Sequence, residues 1–149
     1  NFCEMLGGFY TWDEMMEYKR SDDNKVGDTQ GICPDGWHIP TEAEWQHLAE
    51  YLGGETVAGE RLKNYDYWDP PDEGREVQLD LSGFAAYPAG RIDLSGDSYY
   101  MGRTSSFWSA TKDGSKTAWH RTLTTRGSGF YKNSSHIEYR FSVRCVKDK

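Results

Sequence analysis

One long amphipathic helix is the strongest structural signal in this sequence. Thr41 and Glu44 form a capping box, in which the Thr hydroxyl and the Glu carboxylate each accept a hydrogen bond from a backbone amide of the other residue. Apolar residues follow at the i, i+3, i+4 and i+7 positions of one helical face: Trp45, Leu48, Ala49 and Leu52. Gly53 and Gly54 end the helix. A further short helical turn is expected at residues 57–62, and beyond it the helical periodicity disappears.

A second capping box opens a shorter helix near the start of the chain. Thr11 and Glu14 have the same spacing, and we expect this helix to continue to about Tyr18. Its buried stripe would consist of Trp12, Met15 and Met16. The polar residues 19–30 that follow are interpreted as a solvated loop.

Alternation typical of β-strands begins only in the last third of the chain. Residues 107–110 and 118–123 flank a turn at residues 112–115, and this arrangement predicts a β-hairpin. Further strand pairing is expected at residues 130–131 and 137–139. The late part of the chain is therefore predicted to form an antiparallel meander.

The order of these elements defines the fold class. Residues 141–146 alternate like a closing strand, so helices come first and an antiparallel sheet comes later. This order places the chain in the α+β class. Residues 64–106 lie between the two parts and are rich in Gly, Pro, Asp, Ser and Tyr. Irregular segments of this length are uncommon as simple connections and usually have a function.

Aromatic side chains must supply much of the hydrophobic core. Aromatic residues make up 15% of the chain, whereas all hydrophobic residues together reach only 36%. Each buried ring removes roughly 150–250 Å² from water, so the rings can replace the missing aliphatic area. We predict one folded domain over residues 1–149, since this length is usual for a single domain. The rings assigned to its core are Trp12, Trp37, Trp45, Phe107, Trp108 and Trp119.

Charge and hydropathy exclude two classes of partner. The chain has 24 acidic and 17 basic residues, a net charge of −7, and the basic residues are scattered. Because phosphate binding needs clustered Lys and Arg, we expect no nucleic-acid partner. No apolar stretch approaches the roughly 20 residues that span a bilayer, so no membrane insertion is expected of this fragment. The chain begins at Asn1 and not at Met, which suggests an N-terminally truncated piece of a longer protein.

Short motifs, found in order along nearly the whole chain, resemble one known family. The longest covers residues 31–45 and reads Gly-Ile-Cys-Pro-Asp-Gly-Trp-His-Ile-Pro-Thr-Glu-Ala-Glu-Trp. The shorter motifs are Gly8-Phe9-Tyr10-Thr11-Trp12, Ser82-Gly83-Phe84, Pro88-Ala89-Gly90, Phe107-Trp108-Ser109-Ala110-Thr111, Ala118-Trp119-His120-Arg121 and Phe141-Ser142-Val143-Arg144-Cys145-Val146. With these motifs the chain resembles the Fibrobacter succinogenes major paralogous domain.

That family is in turn similar to the formylglycine-generating enzyme group, whose Leu-Pro-Thr-Glu-Ala-Glu-Trp motif is echoed from Ile39 to Trp45. The resemblance implies a C-type lectin-like fold, with two main helices beside small antiparallel sheets, long irregular loops and chain ends that lie close together. Arg140 departs from the family, which usually has Gly at this position. If the backbone there had a positive φ, an Arg would be strained.

The resemblance also implies a disulfide between Cys33, which precedes the long helix, and Cys145, in the closing strand. Such a bond indicates an oxidising compartment. Two buried thiols in a cytosolic protein are the alternative, because spacing alone does not determine cysteine connectivity. Cys3 resembles the second member of an N-terminal cysteine pair, so its partner is expected upstream of Asn1.

The sequence contains no specific catalytic or metal-binding motif. Formylglycine-generating catalysis requires two reactive cysteines in the C-terminal half, and only Cys145 lies there. The four histidines lack zinc-type spacing, a Gly-x-Ser-x-Gly elbow is absent, and Asp69 with Asp72 are interpreted as turn formers. The tripeptides of calcium-dependent lectins are also absent, so we expect no enzyme activity, no cofactor and no metal site. A structural calcium ion remains an alternative, and its candidate ligands are Asp80, Asp93 and Asp97.

A candidate binding surface remains in residues 120–139. Strand residues alternate between faces, so residues between the framework positions Trp119, Arg121 and Leu123 should point to the other face. Rings mixed with small polar side chains are typical of paratopes, although an ordinary polar surface has a similar composition. The candidate binding residues are His120, Thr122, Thr124, Thr125, Arg126, Ser128, Phe130, Tyr131, Asn133, Ser134, Ser135, His136, Glu138 and Tyr139. Nearby aromatic residues expected to be presented with them are Trp68, Tyr99 and Tyr100.

These observations give one functional hypothesis and two alternatives. The hypothesis is a non-enzymatic, adhesin-like or receptor-like display domain at a bacterial cell surface or phage virion surface, with a protein or glycan ligand. Lectin-like domains of this kind also serve as the variable proteins of diversity-generating retroelements, and residues 120–139 followed by a fixed strand fit such a hypervariable cassette. The alternatives are a divergent metalloenzyme of the formylglycine-generating type and a structural cell-envelope module without a ligand.

Overall fold

The computed structural model describes residue 4, residues 6–69 and residues 82–149. These residues form a mixed α and β structure with short helices and small antiparallel sheets. Its elements, in chain order, are α1 (Trp12–Met15), β1 (Trp37–His38), α2 (Glu42–Tyr51), 3₁₀ turns at Ala58–Arg61 and Tyr65–Tyr67, β2 (Arg91–Ile92), β3 (Ser98–Tyr99), β4 (Thr104–Lys112), β5 (Thr117–Thr124), β6 (Tyr131–His136) and β7 (Val146–Lys147). The predictions made for Cys3, Asp72 and Asp80 fall outside the described residues.

Both predicted capping boxes are present, and they start α1 and α2. At α2 the Thr41 hydroxyl accepts from the Glu44 amide, and the Glu44 carboxylate accepts from the Thr41 amide. Thr11 at the start of α1 makes the equivalent pair. Helix α1 ends at Met15, earlier than predicted, because the chain turns into the left-handed region at Glu17 and Tyr18.

The predicted hairpin is confirmed as β4 and β5, and β6 extends it into a three-stranded antiparallel sheet in the order β4-β5-β6. The expected strand at residues 137–139 is wrong. The Ile137 amide donates to the Lys116 carbonyl and its own carbonyl accepts from Trp12, so this residue joins the sheet edge to α1. Residues 137–139 therefore form a turn.

The predicted closing strand at residues 141–146 is also wrong as one continuous element. Phe141 pairs with Tyr10, Ser142 pairs with Phe107, and β7 pairs with β1. The chain thus changes partners within a few residues, and residues 143–145 belong to no strand.

Arg140 is accommodated without strain. It lies outside the residues with positive φ, and its backbone amide and carbonyl both bond to Ile92. The Arg side chain therefore needs none of the conformational freedom that glycine provides.

The core consists of two aromatic clusters on opposite faces of β4. Phe107 packs with Trp45 of α2, whereas the next residue, Trp108, packs with the α1 side, because successive strand residues point to opposite faces. Three assignments from the sequence are corrected. Trp37 is 39% exposed, Trp119 is half-buried beneath the Lys132 ammonium, and Trp68 is buried instead of being presented at the surface.

An irregularity in β4 joins the two clusters. The register between β4 and β5 shifts between Trp108 and Lys112. In this segment the Trp108 carbonyl accepts from the Trp45 indole at 3.2 Å, and the Ser109 carbonyl accepts from the Trp12 indole at 2.9 Å. Carbonyls of the irregular segment thus accept hydrogen bonds from one tryptophan of α1 and one of α2. The same two side chains therefore fill the core and satisfy buried backbone carbonyls.

The Cys33–Cys145 disulfide implied by the resemblance is confirmed. The two Cα atoms are 5.9 Å apart, and the bond joins residues separated by 112 positions. Cys33 is buried within the cluster that contains Trp12 and Trp108. The bond links the segment before α2 to the segment before β7. No helix among the described residues is long and apolar enough to cross a bilayer.

Candidate functional site

The pairing of β5 with its neighbours gathers polar side chains on one face of the sheet. His120 lies opposite Asn133 of β6, and Thr122 lies opposite both Tyr131 of β6 and Ser106 of β4. Directly opposite residues point to the same face, so these side chains form a contiguous patch. Together with residues from β2 and the turn after β3, the patch encloses a cavity of about 380 Å³. Its lining includes Arg91, Tyr100, Thr104, Ser106, His120, Thr122, Asn133, Ser134 and Ser135.

His120 forms the base of this cavity. Its Nε2 is 2.8 Å from the Ser135 hydroxyl and its Nδ1 is 3.2 Å from the Thr122 hydroxyl, which in turn is 3.2 Å from the Ser106 hydroxyl. The Phe141 ring lies against it at 4.4 Å between centroids. Burial lowers the pKa of His120 to about 3, so the imidazole is neutral at physiological pH and acts as one member of a chain of hydrogen bonds.

Arg91 approaches the cavity from the β2–β3 hairpin. The backbone at Gly90 has φ +76°, and a Cβ there would lie 2.3 Å from the Tyr99 carbonyl oxygen, so only glycine permits this close approach. The approach brings the Arg91 guanidinium beside two rings, with its central carbon 5.2 Å from the Tyr100 centroid and 5.6 Å from the Tyr139 centroid. Sequence reasoning named Tyr100 and Tyr139 but missed Arg91, because an irregular segment without periodicity gives no signal of where its side chains lie.

The structure separates the fourteen predicted binding residues into distinct groups. Phe130 is fully buried and packs edge-on against Trp45, so its assignment to the surface is wrong. His120 is 3% exposed, so it faces the predicted side but lies beneath the surface. Those that line the cavity with it are Thr122, Asn133, Ser134 and Ser135. The remainder are exposed or partly exposed, namely Thr124, Thr125, Arg126, Ser128, Tyr131, His136, Glu138 and Tyr139.

Two of the predicted residues anchor the β5–β6 loop to the scaffold. The Thr125 hydroxyl donates to the Asp69 carbonyl, and the Ser128 hydroxyl donates to the Thr56 carbonyl at 2.7 Å. The buried ammonium of Lys63 donates to the carbonyls of Thr124 and Gly127, so it holds the same loop from within. The loop beside the candidate surface is therefore fixed both by hydrogen bonds that its hydroxyl groups donate and by hydrogen bonds that its backbone carbonyls accept.

A buried ion pair supports β5 from the opposite face of the sheet. The fully buried Arg121 guanidinium donates to the Glu42 carboxylate, to the Gln46 amide oxygen at 2.8 Å and to the Phe130 carbonyl at 3.0 Å. Burial raises the pKa of Glu42, although the Arg121 charge and hydrogen bond oppose this increase. The pair joins α2 to the strand that carries His120 and Thr122.

Removing the cation of this pair should destabilise the domain. We expect Arg121→Leu to lower the free energy of unfolding by about 3 kcal/mol, because Glu42 would remain buried without its partner. Urea denaturation measures the loss, and the matched control is Arg103→Leu, which removes an exposed pair with Asp69 and should cost less than about 1 kcal/mol. Adding Glu42→Leu to Arg121→Leu should recover part of the loss. Equal losses of stability in Arg121→Leu and Arg103→Leu would contradict the assignment of Arg121 to a buried, stabilising ion pair.

No group of three or more His, Cys, Asp or Glu residues in the part of the chain that the structure describes is arranged to hold a metal ion. Asp93 instead accepts from the amide and hydroxyl of Ser95, at 2.9 and 2.6 Å, and so stabilises the β2–β3 turn. Cys145, the one cysteine of the C-terminal half, is engaged in the disulfide.

Comparison with known proteins identifies the family. The chain matches the model of the Fibrobacter succinogenes major domain over residues 3–147, and it belongs to that family. The resemblance drawn from its motifs is thereby confirmed. Searches of the curated proteins and of the solved structures found no match.

Proposed function

We propose that this domain is a non-enzymatic display domain that binds a protein or glycan ligand, in the manner of an adhesin or receptor, through the face formed by β5 and β6. The observation that supports the proposal most is the separation of this surface from the core. Side chains 131–134 of β6 are exposed, whereas the aromatic clusters follow β4, β5 and both helices. A surface that contributes little to stability can be specialised for contact on a rigid scaffold.

We propose a C-type lectin-like scaffold for this domain. Pairing of Tyr10 with Phe141 joins segments near the two ends of the chain, as such a fold requires. Helices α1 and α2 beside small sheets and the Cys33–Cys145 bond support the same arrangement. Because disulfides persist in oxidising compartments, the bond also supports a location at a cell or virion surface.

We also propose that this surface is diversified by a retroelement. Exposed residues 131–134 precede a closing segment in which Phe141 and Ser142 are buried, so a variable part and a fixed part lie in the required order. Sequencing the locus in related genomes should show substitutions concentrated at the codons of Thr122 and residues 131–134, together with a neighbouring reverse transcriptase gene. Substitutions spread evenly over the chain would contradict diversification.

The display function predicts that surface substitutions change binding and leave stability intact. The variant Tyr131→Ala/Asn133→Ala/Ser134→Ala should alter the free energy of unfolding by less than about 0.5 kcal/mol per substitution. The neighbouring control Phe130→Ala should lose about 3 kcal/mol, because that ring is buried against Trp45. Urea denaturation measures both effects. A core-sized loss in the triple variant would contradict the separation of surface and core.

Binding itself is measured by applying the intact domain to arrays of glycans and bacterial surface proteins. We expect hits that disappear in the triple variant, since the other parts of the domain are unchanged. An array without hits would overturn the display function and favour a structural envelope module. Stoichiometric copper or iron in the purified domain would overturn it in favour of a metalloenzyme.

A further inference from the structure

Arg91 brings to the polar cavity a positive charge that forms no ion pair with a carboxylate of the described residues. Its Nε is buried and has no hydrogen-bond partner among the described residues. None of the salt bridges that the described residues form includes Arg91. A buried donor left unsatisfied costs free energy, and the cost is greater when the donor is charged. An anionic group that binds in the cavity would give the guanidinium the ion pair that the described residues do not form with it.

Two tyrosine rings keep the guanidinium in place. Tyr100 and Tyr139 contact Arg91 at 5.2 and 5.6 Å between the guanidinium carbon and the ring centroids. Tyr139 is itself stacked on the buried Phe141, with centroids 5.9 Å apart. Contacts of this kind position the planar cation at the cavity, and a carboxylate has the geometry that matches a guanidinium.

Arg91 places a positive charge beside His120 at the cavity, although the whole chain has a net charge of −7. Burial is the main cause of the lowered pKa of His120, and the charge of Arg91 lowers that pKa further than Asp113 raises it. The Asp113 carboxylate accepts hydrogen bonds from Ser134 and Thr117, and Asp93 is occupied by Ser95. Neither carboxylate neutralises Arg91, so an anionic ligand group is favoured at this position.

The remaining lining suits a polyhydroxylated ligand. Hydroxyl groups of Thr104, Ser106 and Thr122 and the amide of Asn133 can both donate and accept hydrogen bonds, as sugar hydroxyls do. The volume of about 380 Å³ is at the small end of the range for ligand pockets, so it accommodates one small ring and not an extended chain. Exposed aromatic rings stand nearby, since Tyr100 is 50% and Tyr131 is 47% exposed.

We infer that this cavity binds a carboxylate-bearing monosaccharide, presented as one residue of an acidic glycan. The carboxylate binds the Arg91 guanidinium, and the sugar hydroxyls exchange hydrogen bonds with Ser106, Thr122 and Asn133. This inference rests on the proposed display function and names the ligand class for the same surface. A protein ligand with acidic side chains is the competing class, and the experiment separates the two.

The test is calorimetric titration of the intact domain with glucuronate and N-acetylneuraminate, which represent two sources of the same acidic-sugar chemistry. Titration should reach about 20 mM, because a single monosaccharide in a small site is expected to bind with a dissociation constant of about 1 mM. We expect saturable binding of at least one acid, and binding of neutral glucose at least about tenfold weaker. Arg91→Gln should weaken binding of the acidic sugar by at least about tenfold. The exposed Arg20→Gln, with the same change in charge, should leave it unaltered.

Several results would overturn the inference. No binding of either acid would do so, as would equal binding by Arg91→Gln or equally tight binding of acetate, which lacks the sugar ring. Arg91-dependent binding of a tetra-aspartate peptide without binding of the sugars would assign the cavity to a protein ligand. Array hits that depend on Tyr131 and Asn133 but not on Arg91 would preserve the display function and reject only the acidic-sugar site.

Discussion

Reduction of the Cys33–Cys145 disulfide should lower the free energy of unfolding by about 4–5 kcal/mol. The bond closes a loop of 112 positions. In the chain-entropy account, a cross-link over this length restricts the unfolded chain by about that amount. The folded structure also loses the covalent link that joins the segment before α2 to the segment before β7. We expect urea unfolding to occur at a clearly lower midpoint in the presence of dithiothreitol than in its absence.

The experiment needs a background in which only this bond can respond to reductant. The substitution Cys3→Ala provides that background, because the other two cysteines are then the only ones in the chain. The matched control adds Cys33→Ala and Cys145→Ala, and its unfolding midpoint should be the same with and without dithiothreitol. Identical midpoints for the oxidised and reduced parent would refute the stabilising role.

Replacing Trp108 by Ala should cost about 4–5 kcal/mol of unfolding free energy. The side chain is completely buried, it packs on Phe141 at 4.4 Å between ring centroids, and its indole donates to the Tyr10 carbonyl at 2.9 Å. Truncation therefore creates a large cavity, and it also removes one of the two hydrogen bonds that the Tyr10 carbonyl accepts, the other being donated by the Phe141 amide at 3.1 Å. Urea denaturation followed by far-UV circular dichroism gives the loss.

Trp37 provides a control of the same residue type. It lies in the short strand β1 and is 39% exposed, so Trp37→Ala should cost less than about 1 kcal/mol. The two variants remove the same atoms, and their difference reports the burial of Trp108 together with its indole hydrogen bond. If both variants lost a similar amount of stability, the assignment of Trp108 to the centre of the core would be wrong.

Features of the fold that depend on near neighbours were predictable from the sequence. The capping boxes at Thr11 and Thr41 join residues three positions apart, so their residue types are sufficient to locate the helix starts. The β4–β5 hairpin is equally local. The disulfide required the family resemblance, because the 112 positions between its cysteines contain no signal of their proximity.

Features that depend on distant contacts were predicted less well. Phe130 stands in a polar run and resembles a surface residue, yet its amide donates to the Glu55 carbonyl and its ring packs on Trp45. His120 lies on the predicted face, but Phe141 covers it from a segment that sequence alternation assigned to one straight strand. In both cases a tertiary contact determines whether the side chain is buried, and the polarity of the neighbouring residues in the sequence does not indicate that contact.

The candidate site was predictable only for the part that lies on the sheet. Alternation along β5 correctly grouped Thr122 with His120, and strand pairing then added Asn133 and Ser135. Arg91 and its ring contacts could not be predicted in the same way. They depend on the close backbone contact at Gly90, which is a property of the folded chain and not of the residues around it.

The position of β6 limits how this surface can change. The three-stranded sheet ends there, and within the described residues no further strand pairs with its outer edge. Edges of this kind recruit strands from other molecules unless charged or weakly strand-forming residues discourage it, as Lys132, Asn133 and Ser134 do. Replacing these with Val or Ile would favour intermolecular sheet extension and aggregation. The need to remain soluble therefore limits these β6 positions to polar and aromatic residues, whichever ligand the domain binds.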